Sequence, residues 1–285
     1  MLIVALGIAA VYFALSSRVE GEYFNSNGVL IHYTDQGQGT PVILVHGFAV
    51  HADINWRRPG IIDALAKSHR VIAMDLRGHG LSGKPHDPAM YGDEMAQDVI
   101  RLMDHLNIRK AHVVGYSLGG FVALKCAVSY PHRLLGIAPL GAGWETSESS
   151  EFIQALPRVE ASLRAGKGIP PLSGQLGPDR KKPGFIHTQF VRIMTKYFND
   201  PIALADLTPT IGALTLDEHE LKSILVPVCS IIGSEDSLKP GADALEGRIR
   251  NLHRLVIPGA DHMNAAGRPE LIEFLKAFID RYPAK

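Results

Sequence analysis

From residue 21 onward the chain alternates short apolar runs with amphipathic stretches. Glu22 to Asp35 alternates in the manner of an opening β-hairpin. PVILVHG (41–47), RVIAMDLRGHG (70–80) and AHVVGYSLGG (111–120) carry continuous β-branched apolar runs, which predict strands buried on both faces of a parallel sheet. LLGIAPLGAG (134–143), VPVCSIIGSEDS (226–237) and RLVIPGADH (254–262) supply three more. Between them, Tyr91 to Leu106 places Met95, Val99, Leu102, Met103 and Leu106 on one helical face, Phe121 to Tyr130 reads as a more buried helix, and Pro269 to Tyr282 as an amphipathic closing helix. The order βαβα implies an α/β, mostly parallel, doubly wound sheet. Trp144 to Ser223 breaks this rhythm with Pro170, Pro171, Pro178 and Pro183 and a helical patch from Ile186 to Phe198. It is expected to be an inserted helical cap (144–223) on a core formed by residues 21–143 and 224–285.

Met1 to Ser17 carries no charged side chain, and the first charges are Arg18 and Glu20. Residues 1–20 are therefore expected to be a signal peptide or membrane anchor, with Ala14-Leu15-Ser16 as a small-x-small cleavage site. That reading places the protein outside the cytoplasm or on a membrane held through residues 1–17; without a signal function it would be cytoplasmic. No lysine or arginine precedes the run, and it falls short of the roughly 18 to 20 residues that span a bilayer.

Composition narrows the function. With 285 residues, 46% of them hydrophobic, the chain has the make-up of a globular protein. Its 29 basic side chains balance 29 acidic ones, and the longest basic stretch is the short Arg180-Lys181-Lys182 on the cap, so nucleic acid is not expected as a partner. Cys126 and Cys229 have no zinc-type spacing and sit in apolar stretches, as buried thiols do. Neither a metal-ligand cluster nor a glycine-rich phosphate loop is visible, so no cofactor is expected. Oligomeric state is not legible.

The chemistry concentrates at Gly115-Tyr116-Ser117-Leu118-Gly119, which follows a strand and opens a helix, the context of a G-x-S-x-G nucleophile elbow. Asp236 follows the strand VCSIIG and His262 the strand RLVIPG, so both fall at the same sheet edge as Ser117, where α/β sheets place their sites. His262 would take the Ser117 proton and later pass it to the leaving group, with Asp236 orienting the imidazole. Glu235 and Asp261 are the adjacent acids that compete for that last role. His79, in the turn RGHG, is expected to be structural, and His46, before Gly47-Phe48, to shape a loop.

With strand-HGF, D-x-R-G-H-G-x-S, G-Y-S-L-G-G and a terminal G-A-D-H in this order, the chain resembles the α/β-hydrolase superfamily, in its capped, esterase-like branch. The resemblance covers roughly Gly21 to Pro283. It implies Ser117 as nucleophile, Asp236 as acid and His262 as base, with the N–H groups of Phe48 and Leu118 forming an oxyanion hole. Epoxide hydrolases and haloalkane dehalogenases of similar outline place aspartate at the elbow, and proline iminopeptidases carry H-G-G-P-G where this chain has His46-Gly47-Phe48-Ala49-Val50. The expectation is a serine hydrolase of small, uncharged carboxylic esters with short to medium acyl chains. Carbon–carbon or amide hydrolysis, or perhydrolysis, with the same triad stays open, as does a non-catalytic binding protein of the same fold. The apolar cap suggests a substrate pocket formed by Trp144, Phe190 and Met194.

Overall fold

A computed structural model describes residues 19–145, 150–170 and 199–284. In chain order come β1 (Glu22–Ser26), β2 (Val29–Gln36), β3 (Thr40–Val45), a π-helical turn (Asp53–Arg57), α1 (Ile61–Leu65), β4 (His69–Met74), α2 (Asp93–His105), β5 (Ala111–Tyr116), α3 (Leu118–Ser129) and β6 (Leu134–Leu140). Next are α4 (Glu151–Arg164), α5 (Pro201–Leu207), α6 (Glu218–Lys222), β7 (Val228–Gly233), α7 (Lys239–Asp243), β8 (Leu252–Ile257) and α8 (Pro269–Arg281). The eight strands form one sheet in the order β1-β2-β4-β3-β5-β6-β7-β8. β2 runs antiparallel to both neighbours and the remaining pairs are parallel. This is the α/β architecture expected, and its opening hairpin turns on Asn27 and Gly28, both at positive φ, as a twist-matched two-residue turn requires.

The continuous apolar runs follow from the two-residue period of a strand with a helical layer on each side. Ile43 and Val45 of β3 enter one core cluster with Met95, Val99 and Met103 of α2 and Phe121 and Val122 of α3. Val42 and Leu44 enter the other, with Trp56, Ile61 and Leu65 beside α1 and Leu271, Leu275 and Phe278 of α8. Cys126 and Cys229 are buried free thiols, and burial pushes Cys126 up to about 12 and Cys229 further.

Between β6 and β7, α4 lays Val159 and Leu163 on Leu204 and Ala205 of α5, and this small cluster rests on Phe48 and Ala49 after β3. The insertion therefore docks over the carboxyl edge of the sheet. Ser150 caps α4 by accepting from Ile153 N (3.2 Å), and Asp200 caps α5 by accepting from Ile202 N and Ala203 N. The patch 186–198 lies outside the described residues, as does the leader 1–17. Among the described residues no helix is long and apolar enough to cross a membrane. The helix expected from Phe121 begins three residues earlier, at Leu118, and the π-helical turn and α1, which no apolar period announces, were not expected.

Two buried histidines make stability depend on pH. Burial lowers the pKa of His112 to about 4 and that of His79 to about 3. An unfolded histidine takes a proton near pH 6.5, so between that pH and the folded values the unfolded chain binds more protons. Stability is therefore full above about pH 6.5 and falls as the pH drops, by up to about 1.4 kcal/mol per pH unit per histidine. Denaturant midpoints should fall from pH 6.5 to pH 5. His112→Gln, which can still donate to the Tyr282 carbonyl (2.9 Å from His112 Nε2), should remove about 1.5 kcal/mol of that fall. An unchanged slope would show that His112 does not carry it.

Candidate active site

β5 ends at Tyr116 and α3 opens at Leu118, leaving Ser117 alone in the bend at φ 53°, ψ −115°. That conformation is strained for any residue but glycine, and the packing around it holds it in place. A Cβ on Gly115 would stand 1.8 Å from the Gly119 carbonyl oxygen, and one on Gly119 would stand 2.0 Å from that of Val45. Both positions therefore demand glycine, because strand and helix approach backbone to backbone. Ser117 N–H donates to Leu140 O (2.8 Å), pinning the bend to β6, and Gly120 N–H donates to Ser117 O (2.8 Å).

Ser117 Oγ lies 3.0 Å from His262 Nε2, and His262 Nδ1 lies 2.9 and 3.1 Å from the two oxygens of Asp236. The Asp236 carboxylate is buried and also accepts from Leu238 N–H (2.9 Å). Asp261 uses its carboxylate on the turn after it, accepting from Met263 N and Asn264 N. Glu235 contributes backbone, its N–H donating to Ala260 O (2.9 Å) and stitching the β7 loop to the β8 loop. Tyr116, which the sequence pattern did not single out, donates its hydroxyl proton to His262 O (2.7 Å) and packs its ring on the imidazole at 5.4 Å. A hydroxyl bonded to an imidazole that is itself bonded to a buried carboxylate can lose its proton as it attacks an electrophile.

The loop after β3 runs beside Ser117, for a Cβ on Gly47 would lie 3.3 Å from Ser117 Cβ. His46, fully buried, bonds through Nδ1 to Gly47 O (2.7 Å) and accepts Leu76 N–H on Nε2 (2.9 Å). Gly47 N–H is held by Asn55 Oδ1 (2.9 Å), and Ala49 N–H by His79 Nε2 (3.0 Å), with Ala49 at φ 58°. The Phe48 N–H between them has no acceptor among the described residues. Leu118 N–H, first in α3, has no intrahelical acceptor. These are the two donors implied for an oxyanion hole. His79 can accept because burial keeps it neutral.

The turn 75–82 is the frame of this loop. Asp75 accepts from His32 Nδ1 (3.0 Å), Ala52 N (2.9 Å) and Leu81 N (2.9 Å). Burial alone would raise its pKa, but the His32 bond and these N–H groups hold it well below the carboxylate range. Arg77, fully buried, bonds twice to Asp98 (2.7 and 2.6 Å). His79 Nδ1 lies 3.1 Å from Arg77 O.

A cavity of about 470 Å³ opens at Ser117 and His262. Its walls are the segment 47–59 and the stretch 262–267, with Tyr116 at the base. Trp144 is not among its lining residues. Its indole N–H instead donates to Leu216 O (2.8 Å), and Arg248 stacks on the ring at 4.7 Å. This bond ties the start of the insertion to its end. Phe190 and Met194 lie outside the described residues.

A family model described as alpha/beta hydrolase fold matches residues 40–266. The chain belongs to the α/β-hydrolase family. A dihydrolipoyllysine-residue acetyltransferase component of the acetoin cleaving system from Pseudomonas putida is 34% identical over 79% of this α/β hydrolase and 59% of its own length. A 2-hydroxy-6-oxo-6-(2'-aminophenyl)hexa-2,4-dienoic acid hydrolase from Metapseudomonas resinovorans is 26% identical over 87% of the chain and 86% of its own. The chain's match covers 38%, 46% and 52% of the length of three other curated relatives. An esterase from Thermogutta terrifontis superposes with a TM-score of 0.71 at 24% identity, over 94% of this chain and 100% of that one. A meta-cleavage product hydrolase from Pseudomonas fluorescens IP01 gives 0.70 at 24%, over 91% and 99%. At that identity the likeness is one of fold.

Proposed function

We propose that this α/β hydrolase cleaves small, uncharged carboxylic esters through an acyl-enzyme on Ser117. The observation that carries this reading is the unbroken hydrogen-bonded line from Ser117 Oγ through His262 to the buried Asp236, beside the unclaimed N–H groups of Phe48 and Leu118. Ser117 Oγ adds to the ester carbonyl while His262 Nε2 takes its proton, and Asp236 steadies the imidazolium. The carbonyl oxygen becomes an oxyanion held by the two N–H groups, each worth about 3 kcal/mol in the transition state. Collapse expels the alcohol, which leaves with the proton from His262. Water, deprotonated by the same histidine, then releases the acid and restores Ser117.

A second reading, hydrolysis of a carbon–carbon bond in a vinylogous diketone, is favoured by relatives named for such chemistry, one matching over 87% of the chain. A panel of nitrophenyl esters from acetate to octanoate against such a diketone separates the two. For an esterase, kcat/KM should climb with each added methylene by up to about fourfold, the equivalent of about 0.8 kcal/mol per buried CH₂, until the acyl site is full. A flat series with faster turnover of the diketone would select the carbon–carbon reading.

A further inference from the structure

The cavity at Ser117 is walled in large part by apolar groups, among them Val50, Ile54, Pro59, Met263 and Ala266; of the polar side chains there besides Tyr116, Ser117 and His262, Arg58 and Asn264 are exposed, and Asn55 is the buried one. Asn55 is 8% exposed and belongs to the π-helical turn. Its amide is oriented by chemistry: the Gly47 N–H at 2.9 Å can only meet an acceptor, so that atom is Oδ1. The other end, Nδ2, donates to no described residue, and it is not among the sealed, unpartnered polar atoms of the interior, so it opens on the cavity that Asn55 lines. A nine-tenths-buried amide with two unspent N–H bonds facing an apolar cavity is a ready binding group for an acceptor.

The position of the cavity says which half of a substrate meets it. If Ser117 is the nucleophile, His262 Nε2 must deliver its proton to the leaving oxygen, so the leaving group lies against His262. The wall that continues from His262 through Met263, Asn264, Ala266 and Gly267 is one side of this cavity, and Ile54, Asn55 and Pro59 are another. We propose, resting on the hydrolase reading above, that this cavity is the leaving-group subsite and that Asn55 is its specificity residue. Oδ1 holds the loop that carries the Phe48 N–H, and Nδ2 donates to an acceptor oxygen on the leaving group. The natural leaving group is then an alcohol or enol with an apolar body and an ether or carbonyl oxygen within a few bonds of the cleaved one.

Asn55→Asp separates the two duties, because a carboxylate still accepts from Gly47 N–H but cannot donate. Asn55→Ala removes both. The readout is the kcat/KM ratio between isosteric esters of one acid: 2-methoxyethyl butyrate, in which an ether oxygen replaces a methylene, and 2-oxobutyl butyrate, each against butyl butyrate. Loss of one neutral hydrogen bond should lower the ratio for at least one oxygen-bearing ester about fivefold to tenfold in Asn55→Asp, chiefly through a higher KM. Asn55→Ala should show the same loss of ratio together with a lower kcat on all three esters. Ser117-dependent turnover with ratios unchanged in Asn55→Asp would overturn the assignment of Asn55 and leave the esterase standing. Absence of Ser117-dependent turnover of all three would overturn both.

Discussion

Ser117→Ala is expected to abolish both turnover and labelling by a fluorophosphonate probe, and Asp236→Asn to lower kcat by about ten-thousand-fold while the protein stays folded. The two losses have different origins. Alanine removes the oxygen that would carry the acyl group, leaving only what the Phe48 and Leu118 N–H groups and the cavity can do for attack by water. Asparagine keeps the shape of Asp236 and can keep its bond from Leu238 N–H. It also presents an N–H to His262 Nδ1, which favours the tautomer whose Nε2 already holds a proton and so cannot accept one from Ser117. Steady-state kinetics with thermal melts on each variant check this. Full activity in Asp236→Asn would remove Asp236 from the mechanism.

Asp98→Ala is expected to cost about 3 to 5 kcal/mol of stability, because it leaves the guanidinium of Arg77, fully buried, without its principal counter-charge. Met90 O at 2.5 Å and Glu94 at 3.4 Å are the remaining partners, and Ser26 Oγ, which bonds Asp98 at 2.5 Å, loses its acceptor as well. A drop in melting temperature of about 10 °C should follow. Activity should fall further than the unfolded fraction explains, since Arg77 O holds His79, and His79 holds the Ala49 N–H beside Phe48. A stable Asp98→Ala protein would show that Arg77 reaches water once freed.

The strands were legible because burial on both faces writes itself as a run such as VILV, and a bend that must be glycine on both sides of a serine writes itself as G-x-S-x-G. The same rule pointed to the neighbourhoods of Asp236 and His262, a few residues past two apolar runs, but with Glu235 and Asp261 beside them only the resemblance separated the candidates. Asn55 and Tyr116 left no such mark. Asn55 lies in a five-residue π-helical turn with no periodic signal, and its duty depends on Gly47, eight residues away. Tyr116 reads as one more apolar position of β5, and only the fold shows its hydroxyl reaching His262 O. The tie made by Trp144 left no mark either, since only the fold brings its indole N–H to the Leu216 carbonyl.

The bend at residue 117 also governs which attacking atoms this scaffold can exchange. At φ 53° a side chain branched at Cβ collides with its own backbone, so threonine is barred, whereas serine, cysteine and aspartate, each with a single heavy atom on Cβ, fit the same space. An alkoxide, a thiolate or a carboxylate can therefore be presented at one point without moving a strand, a helix or either neighbouring glycine. The choice of nucleophile at this point is thus limited by the backbone before any substrate is met.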